Sequence, residues 1–389
     1  MIRLVLTARA LRGFADGCIA VVLPAYLLAL GHGELEVGFI STATLFGSAF
    51  TTLAVGRWGH RFSIRRLMLA AAALMALTGL AFAGFSTLWP LLLVGFVGTL
   101  NPSSGDASVF MPLDHTMLAT APAERRTALF ARYSFLGSAF GAMGALAAGA
   151  PEWLAVGGWT MLEGLRAMFV LYGMVGVAVW LLYRRLPEPR VEERRPATPL
   201  GRSRGIVWRL AGLFSVDSFA GGLILNSLLA LWLFQRFGMG LAEAGAFFFC
   251  TGLLAAVSQL LAPLLAKRIG LVNTMVFTHI PSSLFLIGAA FASTLEPALV
   301  CLLARSLLSQ MDVPARGAFV MSVVTPEERP AAASFTSVPR SLAAAASPAL
   351  GGALFAAGAM AAPLVLCGVL KIAYDLALFA AFRRAEPRH

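Results

Sequence analysis

Among the carboxylates inside the long apolar runs of this chain, Asp16, Asp106, Asp217 and Asp312 are the candidates for proton coupling. A charged side chain at mid-membrane costs on the order of 3 kcal/mol on insertion scales, so each needs a partner or a purpose. Loss of hydration favours the protonated form of a carboxylate, which is the chemistry a proton carrier uses. Asp16 follows Phe14-Ala15 and Asp217 follows Phe214-Ser215-Val216, at matching depths in two corresponding segments. The spacing predicts that both face one central cavity; the plain alternative is a fixed hydrogen bond, to Arg12 for instance. Arg305 and Asp312 are seven apart, two helical turns, and so share a face. An arginine keeps its proton, so Arg305 must pair, with Asp312 or Asp106, or bind an anion beside Gln310. Lys371 and Asp375 are four apart and are expected to satisfy each other on one helix.

The stretch that carries Asp106 is the least regular of the apolar runs. It reads Asn101-Pro102-Ser103-Ser104-Gly105-Asp106, then Met111-Pro112-Leu113-Asp114-His115. Two prolines and a glycine remove ladder hydrogen bonds, so this segment is expected to be kinked or broken, as segments lining a cavity can be. Asn101 is a further candidate for contact with solute. Asp114 and His115 stand side by side near the segment's cytoplasmic end, where gate, interfacial cap and proton relay all remain open.

The elements that must position these residues follow from composition. The chain is 59% hydrophobic and 13% charged, with mean hydropathy +0.80. Soluble domains carry about 25% charged residues. Apolar runs of about twenty residues, enough to cross a bilayer as a helix, recur throughout. Twelve are predicted: 10–30, 36–57, 67–85, 89–118, 127–149 and 164–183, then 210–235, 242–266, 271–292, 296–323, 330–357 and 362–382. The fold class is therefore an all-α polytopic membrane protein. Between the sixth and seventh segments lies a basic stretch, Arg184 to Arg209, with eight arginines and four prolines. It reads as a linker (184–209) between an N-terminal six-helix bundle (1–183) and a C-terminal one (210–389).

The net charge of +11 does not point to nucleic acid, because the cations sit in alternate short loops. Arg57, Arg61, Arg65 and Arg66, then Arg125, Arg126 and Arg132, the linker, Lys267 and Arg268 all fall on one side. The other side carries mainly Glu34, Glu36, Glu152, Glu163, Glu243 and Glu296. Basic loops stay in the cytoplasm, so both termini and the linker are expected there, in an inner membrane. Trp153 and Trp159 mark an outer loop at headgroup level. The four cysteines are all intramembrane, and no metal-ligand spacing, cofactor fingerprint, phosphate loop or His-Glu-x-x-His helix exists. Chemistry on a bound substrate is not expected, and transport driven by a gradient is.

The halves repeat. AERRTAL at 123–129 matches EERPAAA at 327–333, and HRFS at 60–63 matches KRIG at 267–270. Internal repeats of this kind build carriers with a site between the halves. With this architecture the chain resembles the major facilitator superfamily. That family's signature lies between its second and third helices: a glycine, three residues, then Asp-Arg-x-Gly and further basic residues. Here Gly56, Arg61, Arg65 and Arg66 fit, with His60 at the acidic position and Ser63 at the second glycine. The resemblance implies that Gly56, His60, Arg61 and Arg65 belong to a cytoplasmic gate, to which position adds Asp114 and His115 as candidates. A Gly-rich fifth helix, Gly137, Gly141 and Gly144, is similar to that of the drug–proton antiporters but lacks their proline. Ser347-Pro348-Ala349-Leu350-Gly351-Gly352 lies in the other half. Helix packing explains the same glycines. The expectation is a monomeric, proton-coupled exporter of an amphipathic or cationic solute by alternating access, without a cofactor. A carrier of an anionic or sugar-like metabolite, with Arg305 as the binding cation, is the second reading. A polytopic enzyme or sensor is a remote third.

Overall fold

The computed structural model describes residues 1–103, 108–118, 123–187, 201, 203–325 and 328–382, with only the backbone at His60, 123–128 and Pro330. Asp106, Gly105 and residues 188–200 and 202 of the basic linker lie outside the described residues. All regular structure among the described residues is helical, as a lipid environment demands of backbone groups that find no water.

The first series of helices is α1 (Ile2–Ala29), α2 (Glu34–Trp58), α3 (Ile64–Gly84), α4 (Leu88–Val97), α5 (Phe110–Leu118), α6 (Ala123–Ala147), α7 (Ala150–Val156) and α8 (Met161–Arg184). The second is α9 (Arg204–Gly222), α10 (Asn226–Phe237), α11 (Leu241–Ile269), α12 (Leu271–Ala290), α13 (Leu295–Leu308), α14 (Asp312–Val323), α15 (Arg329–Ala346), α16 (Pro348–Ala356) and α17 (Ala362–Phe382). Four crossings are made of two helices in succession: α4 with α5, α9 with α10, α13 with α14, and α15 with α16. Counted so, the described helices make twelve crossings, with α7 a short surface helix. Ten of the stretches are long and apolar enough to cross by themselves. The fourth and eleventh crossings are not among them. In the fourth, the predicted break is present: α4 stops at Gly98, and Asn101 Oδ1 accepts from the Ser103 N–H (3.1 Å) and hydroxyl (2.7 Å). Asn101 is 1% exposed, so its amide shapes the break from inside the protein.

Two compact units form. The first comprises Met1–Val191, Leu225–Gly252 and Pro348–Ala356. Its axis is α1, packed on α6 and α8 by backbone contact. A Cβ at Gly17 would lie 1.9 Å from the carbonyl oxygen of Gly141, and one at Gly144 would lie 1.8 Å from that of Phe14. The antiporter-like glycines of α6 are thus a helix crossing of the small-xxx-small kind, facing Gly13 and Gly17 of α1. Gly352 meets Gly38 of α2 in the same way. The second unit comprises Glu192–Ile224, Leu253–Ser347 and Ala357–His389. Its core is built from Val207, Leu210 and Phe214 of α9, Met275 of α12, Phe319 of α14, and Tyr374, Leu378 and Phe382 of α17.

Candidate functional site

In the second unit, helices α9, α12, α14 and α17 bring seven polar side chains into contact. Asp217 (α9) sits at the centre. Its Oδ1 accepts from the Lys371 ammonium (2.6 Å, α17) and its Oδ2 from Arg316 Nη1 (3.0 Å, α14). Arg316 Nη2 donates to Asp312 Oδ2 at 2.8 Å, one turn earlier on α14. His279 (α12) places Nδ1 3.1 Å from Asp375 Oδ1 and 3.0 Å from Oδ2, and Nε2 3.3 Å from Lys371 Nζ. Tyr374 closes the cluster with its ring edge-on to His279 and Phe214; its buried hydroxyl meets no hydrogen-bond partner among the described residues.

Two arginines border this network without a carboxylate. Arg340 (α15) uses Nε to hold the Ser218 hydroxyl at 3.2 Å, and its terminal nitrogens form no further hydrogen bond among the described residues. Arg305 occupies the last turn of α13, half-buried. No hydrogen bond or ion pair reaches its guanidinium among the described residues. A guanidinium is five donors with no acceptor, and a desolvated one without a partner is poised for an anion.

Three expectations are corrected here. Arg305 does not pair with Asp312: the chain breaks at Ser309–Met311, so the two-turn face assumed for one continuous helix does not exist. Asp312 takes Arg316 instead. Lys371 and Asp375 do not satisfy each other; both turn to neighbouring helices, one to Asp217 and the other to His279. Arg12 is not the partner of Asp16. His279 and Arg316 were missed, although an ionisable residue inside an apolar run was the signal that found the others. Gln310 lies in the break itself, half-buried.

The first unit holds a second knot. Arg12 (α1) makes a direct ion pair with Asp114 (α5), and Asp114 also accepts from the hydroxyls of Tyr133 (2.9 Å, α6) and Tyr183 (3.3 Å, α8). Arg12 further lies 4.1 Å over the Phe110 ring. Asp114 is fully buried, enclosed by partners from α1, α6 and α8. His115 beside it packs edge-on against Phe130 and Tyr133. Asp16 is buried on α1 within electrostatic reach of Tyr172 on α8.

Of the signature between α2 and α3, Gly56 faces open space, Arg61 is exposed, and the His60 side chain lies outside the described residues. Arg65 Nη2 donates to the Arg184 carbonyl at 2.6 Å, capping the C-terminus of α8 where the helix dipole favours a cation. A cavity of about 280 Å³ between α11, α12 and α14 is lined by apolar side chains with Lys267 at its edge, and none of the cluster residues borders it.

A sequence model of the Major Facilitator Superfamily matches residues 5–311. The chain is 24% identical over 411 residues to an uncharacterized membrane protein of Saccharomyces cerevisiae, YJR124C, covering 96% of this chain and 92% of that protein. Solved structures share the fold at low identity. A bacterial homologue of the human lysosomal transporter Spinster, inward-facing and occupied, gives a TM-score of 0.75 at 16% identity over 98% of this chain and 96% of that one. The nucleoside transporter NupG gives 0.74 at 13% over 98% and 99%. The xylose transporter XylE of E. coli gives 0.73 at 14% over 97% and 96%.

Proposed function

The chain belongs to the Major Facilitator Superfamily, and on that premise we propose that this transporter is a proton-coupled carrier of a small solute bearing an anionic group. It is a multi-pass membrane protein that moves a small molecule and not an enzyme. The observation that carries the anion reading is where hydrogen-bonding capacity remains. Asp217, Asp312, Asp375 and Asp114 are each engaged by a cation or an imidazole. The guanidinium of Arg305 and the terminal nitrogens of Arg340 are not engaged among the described residues. A cationic solute, the first expectation, would have to displace an ammonium or a guanidinium from its carboxylate. An anionic group would complete arginines that lack one.

The carrier sits in the inner membrane as a monomer, with both termini and the linker in the cytoplasm, in line with the basic loops. Labelling of a cysteine introduced into the linker only after the membrane is opened is the corresponding readout.

The deciding measurement uses purified protein in proteoliposomes with a pH dye inside. Lipophilic cations, carboxylates, sugar phosphates and neutral sugars are offered in turn. The expected result is proton movement with one anion class, reduced roughly tenfold or more in Arg305→Ala, the loss typical of a hydrogen bond between charged groups. A response confined to lipophilic cations and lost in Asp217→Asn would reinstate cation export. A response confined to neutral sugars would overturn the anionic group.

A further inference from the structure

We propose that His279 is a proton-binding site and that its protonation releases Lys371 from Asp217 to join Arg305 in holding the anion. The inference rests on the proton-coupled anion reading and supplies its coupling step.

The hydrogen bonds assign the resting imidazole. An ammonium group is three donors and no acceptor, so Lys371 Nζ at 3.3 Å from Nε2 requires a lone pair there. The ring proton is then on Nδ1, where the Asp375 carboxylate accepts it. The resting order is thus Asp217 accepting from Lys371, Lys371 donating to Nε2, and Nδ1–H donating to Asp375. Neutral His279 has one basic site, and Lys371 covers it.

A proton arriving at Nε2 forms one N–H bond and removes the lone pair that Lys371 was using. Two cations then stand 3.3 Å apart with donor facing donor. The new N–H has an acceptor near, because Asp217 Oδ1 lies 3.8 Å from Nε2. That oxygen is the one Lys371 occupies, while Arg316 keeps Oδ2. The imidazolium replaces the ammonium at Asp217, and the cluster carries one more positive charge.

Lys371 is the group free to leave. Its side chain is 12% exposed, against 4% for His279, 7% for Asp217 and 9% for Arg316. The freed ammonium is then a second cation, with the unpaired guanidinium of Arg305, able to receive an anion. The groups that meet His279 are Asp217 of α9 and Lys371, Tyr374 and Asp375 of α17; Arg316 and Asp312 of α14 join them through Asp217, and the Arg305 carbonyl of α13 accepts from Ser282, three residues along α12. An imidazole is the side chain whose ordinary protonation equilibrium lies near neutrality, and here it shares its proton with the Asp375 carboxylate. Proton and anion therefore bind together, which makes the carrier a symporter.

Two measurements test this. The chain has five histidines, so 15N-histidine spectra of the protein in nanodiscs resolve each ring, with His279 identified by the signal lost in His279→Gln. The expected spectrum shows the Nδ1–H tautomer at high pH and both nitrogens protonated at low pH. An Nε2–H tautomer, or no titration between about pH 5 and about pH 9, overturns the proposal. The second measurement follows proton entry into pyranine-loaded proteoliposomes given succinate, lactate and glucose 6-phosphate. In wild type the half-saturating anion concentration is expected to fall at least roughly fivefold from about pH 8 to about pH 6. His279→Gln is expected to flatten that dependence, whatever its absolute rate. Absence of anion-driven proton entry in wild type would sink the parent reading. Proton entry whose pH dependence His279→Gln leaves intact would sink this one. If His279→Gln carries nothing at all, the ring titration decides.

Discussion

Asp114 shows what a buried carboxylate does when both its oxygens are hydrogen-bonded. Arg12, Tyr133 and Tyr183 reach it from three helices. The chain has 28 phenylalanines and five tyrosines, and every tyrosine is buried. Four of the five hydroxyls donate: Tyr26 to the Phe82 carbonyl, Tyr172 to that of Thr99, and Tyr133 and Tyr183 to Asp114. Breaking a buried ion pair by removing one partner typically costs about 3–5 kcal/mol, and losing one neutral donor costs about 1 kcal/mol. Asp114→Ala is therefore expected to lower the unfolding temperature in detergent far more than Tyr133→Phe or Tyr183→Phe. The pair Arg12→Leu with Asp114→Leu should recover much of the loss, since two apolar groups leave no orphaned charge. An Asp114→Ala protein as stable as wild type but unable to transport would move this residue from architecture to mechanism. The sequence marked Asp114 as unusual because aspartate is rare in an apolar run. It did not show the partner, since Arg12 and Asp114 are 102 positions apart and only helix rotation and register bring them together. The same reason hid the pairing of Asp217 with Lys371, and made the four-residue spacing of Lys371 and Asp375 misleading.

At the scale of helices, glycine spacing was readable and helix interruption only partly so. The prolines and glycine around Asn101 announced the fourth crossing's break, whereas Ser309–Met311 contains neither and still separates α13 from α14. The proline that accounts for this break stands past it, at Pro314, which cannot donate to the Gln310 carbonyl, and the break turns Arg305 away from Asp312. The α1–α6 crossing gives a direct test of close approach. Alanine at Gly17 puts its methyl carbon 1.9 Å from a backbone oxygen that belongs to a packed helix. The helices must part, at a typical cost of about 1–3 kcal/mol for an overpacked site. Gly56 lies inside α2 with open space around it, so Gly56→Ala is expected to be neutral or to stabilise by up to about 1 kcal/mol through helix propensity. Paired melting curves of the two variants check the contrast. Equal melting temperatures would mean that α1 and α6 are not held by backbone contact. Transport lost in a stable Gly56→Ala protein would support the gating role that the signature implies.

For the whole molecule, the apolar runs and alternating basic loops were enough to read the architecture, because a bilayer imposes length, helicity and charge placement together. The solute was not readable, since it depends on which side chains the docked helices leave facing it. The same docking fixes the ends of the helices. Glu152 of α7 accepts from the N–H groups of Leu241 (2.5 Å) and Ala242 (3.1 Å) at the start of α11. In the second unit, Glu328 accepts from the N–H groups of Gly201 (2.6 Å) and Ser203 (3.2 Å) at the start of α9. Each carboxylate fills a helix N-terminus, where unpaired donors and the dipole favour negative charge. The donors of Ser203 and Gly201 hold the Glu328 carboxyl below the usual glutamate range. A lowered value in the folded state means that its contribution to stability is present above the unfolded glutamate value and is lost only as pH falls through the lowered one. The Glu328 clasp therefore stays closed across the range in which an imidazole titrates. Glu328→Gln should lower the melting temperature near neutral pH, because an amide is a weaker acceptor for these donors, and should leave the pH profile of transport where it was. A variant whose transport profile moves with this substitution would make the clasp, and not the His279 cluster, the source of pH dependence.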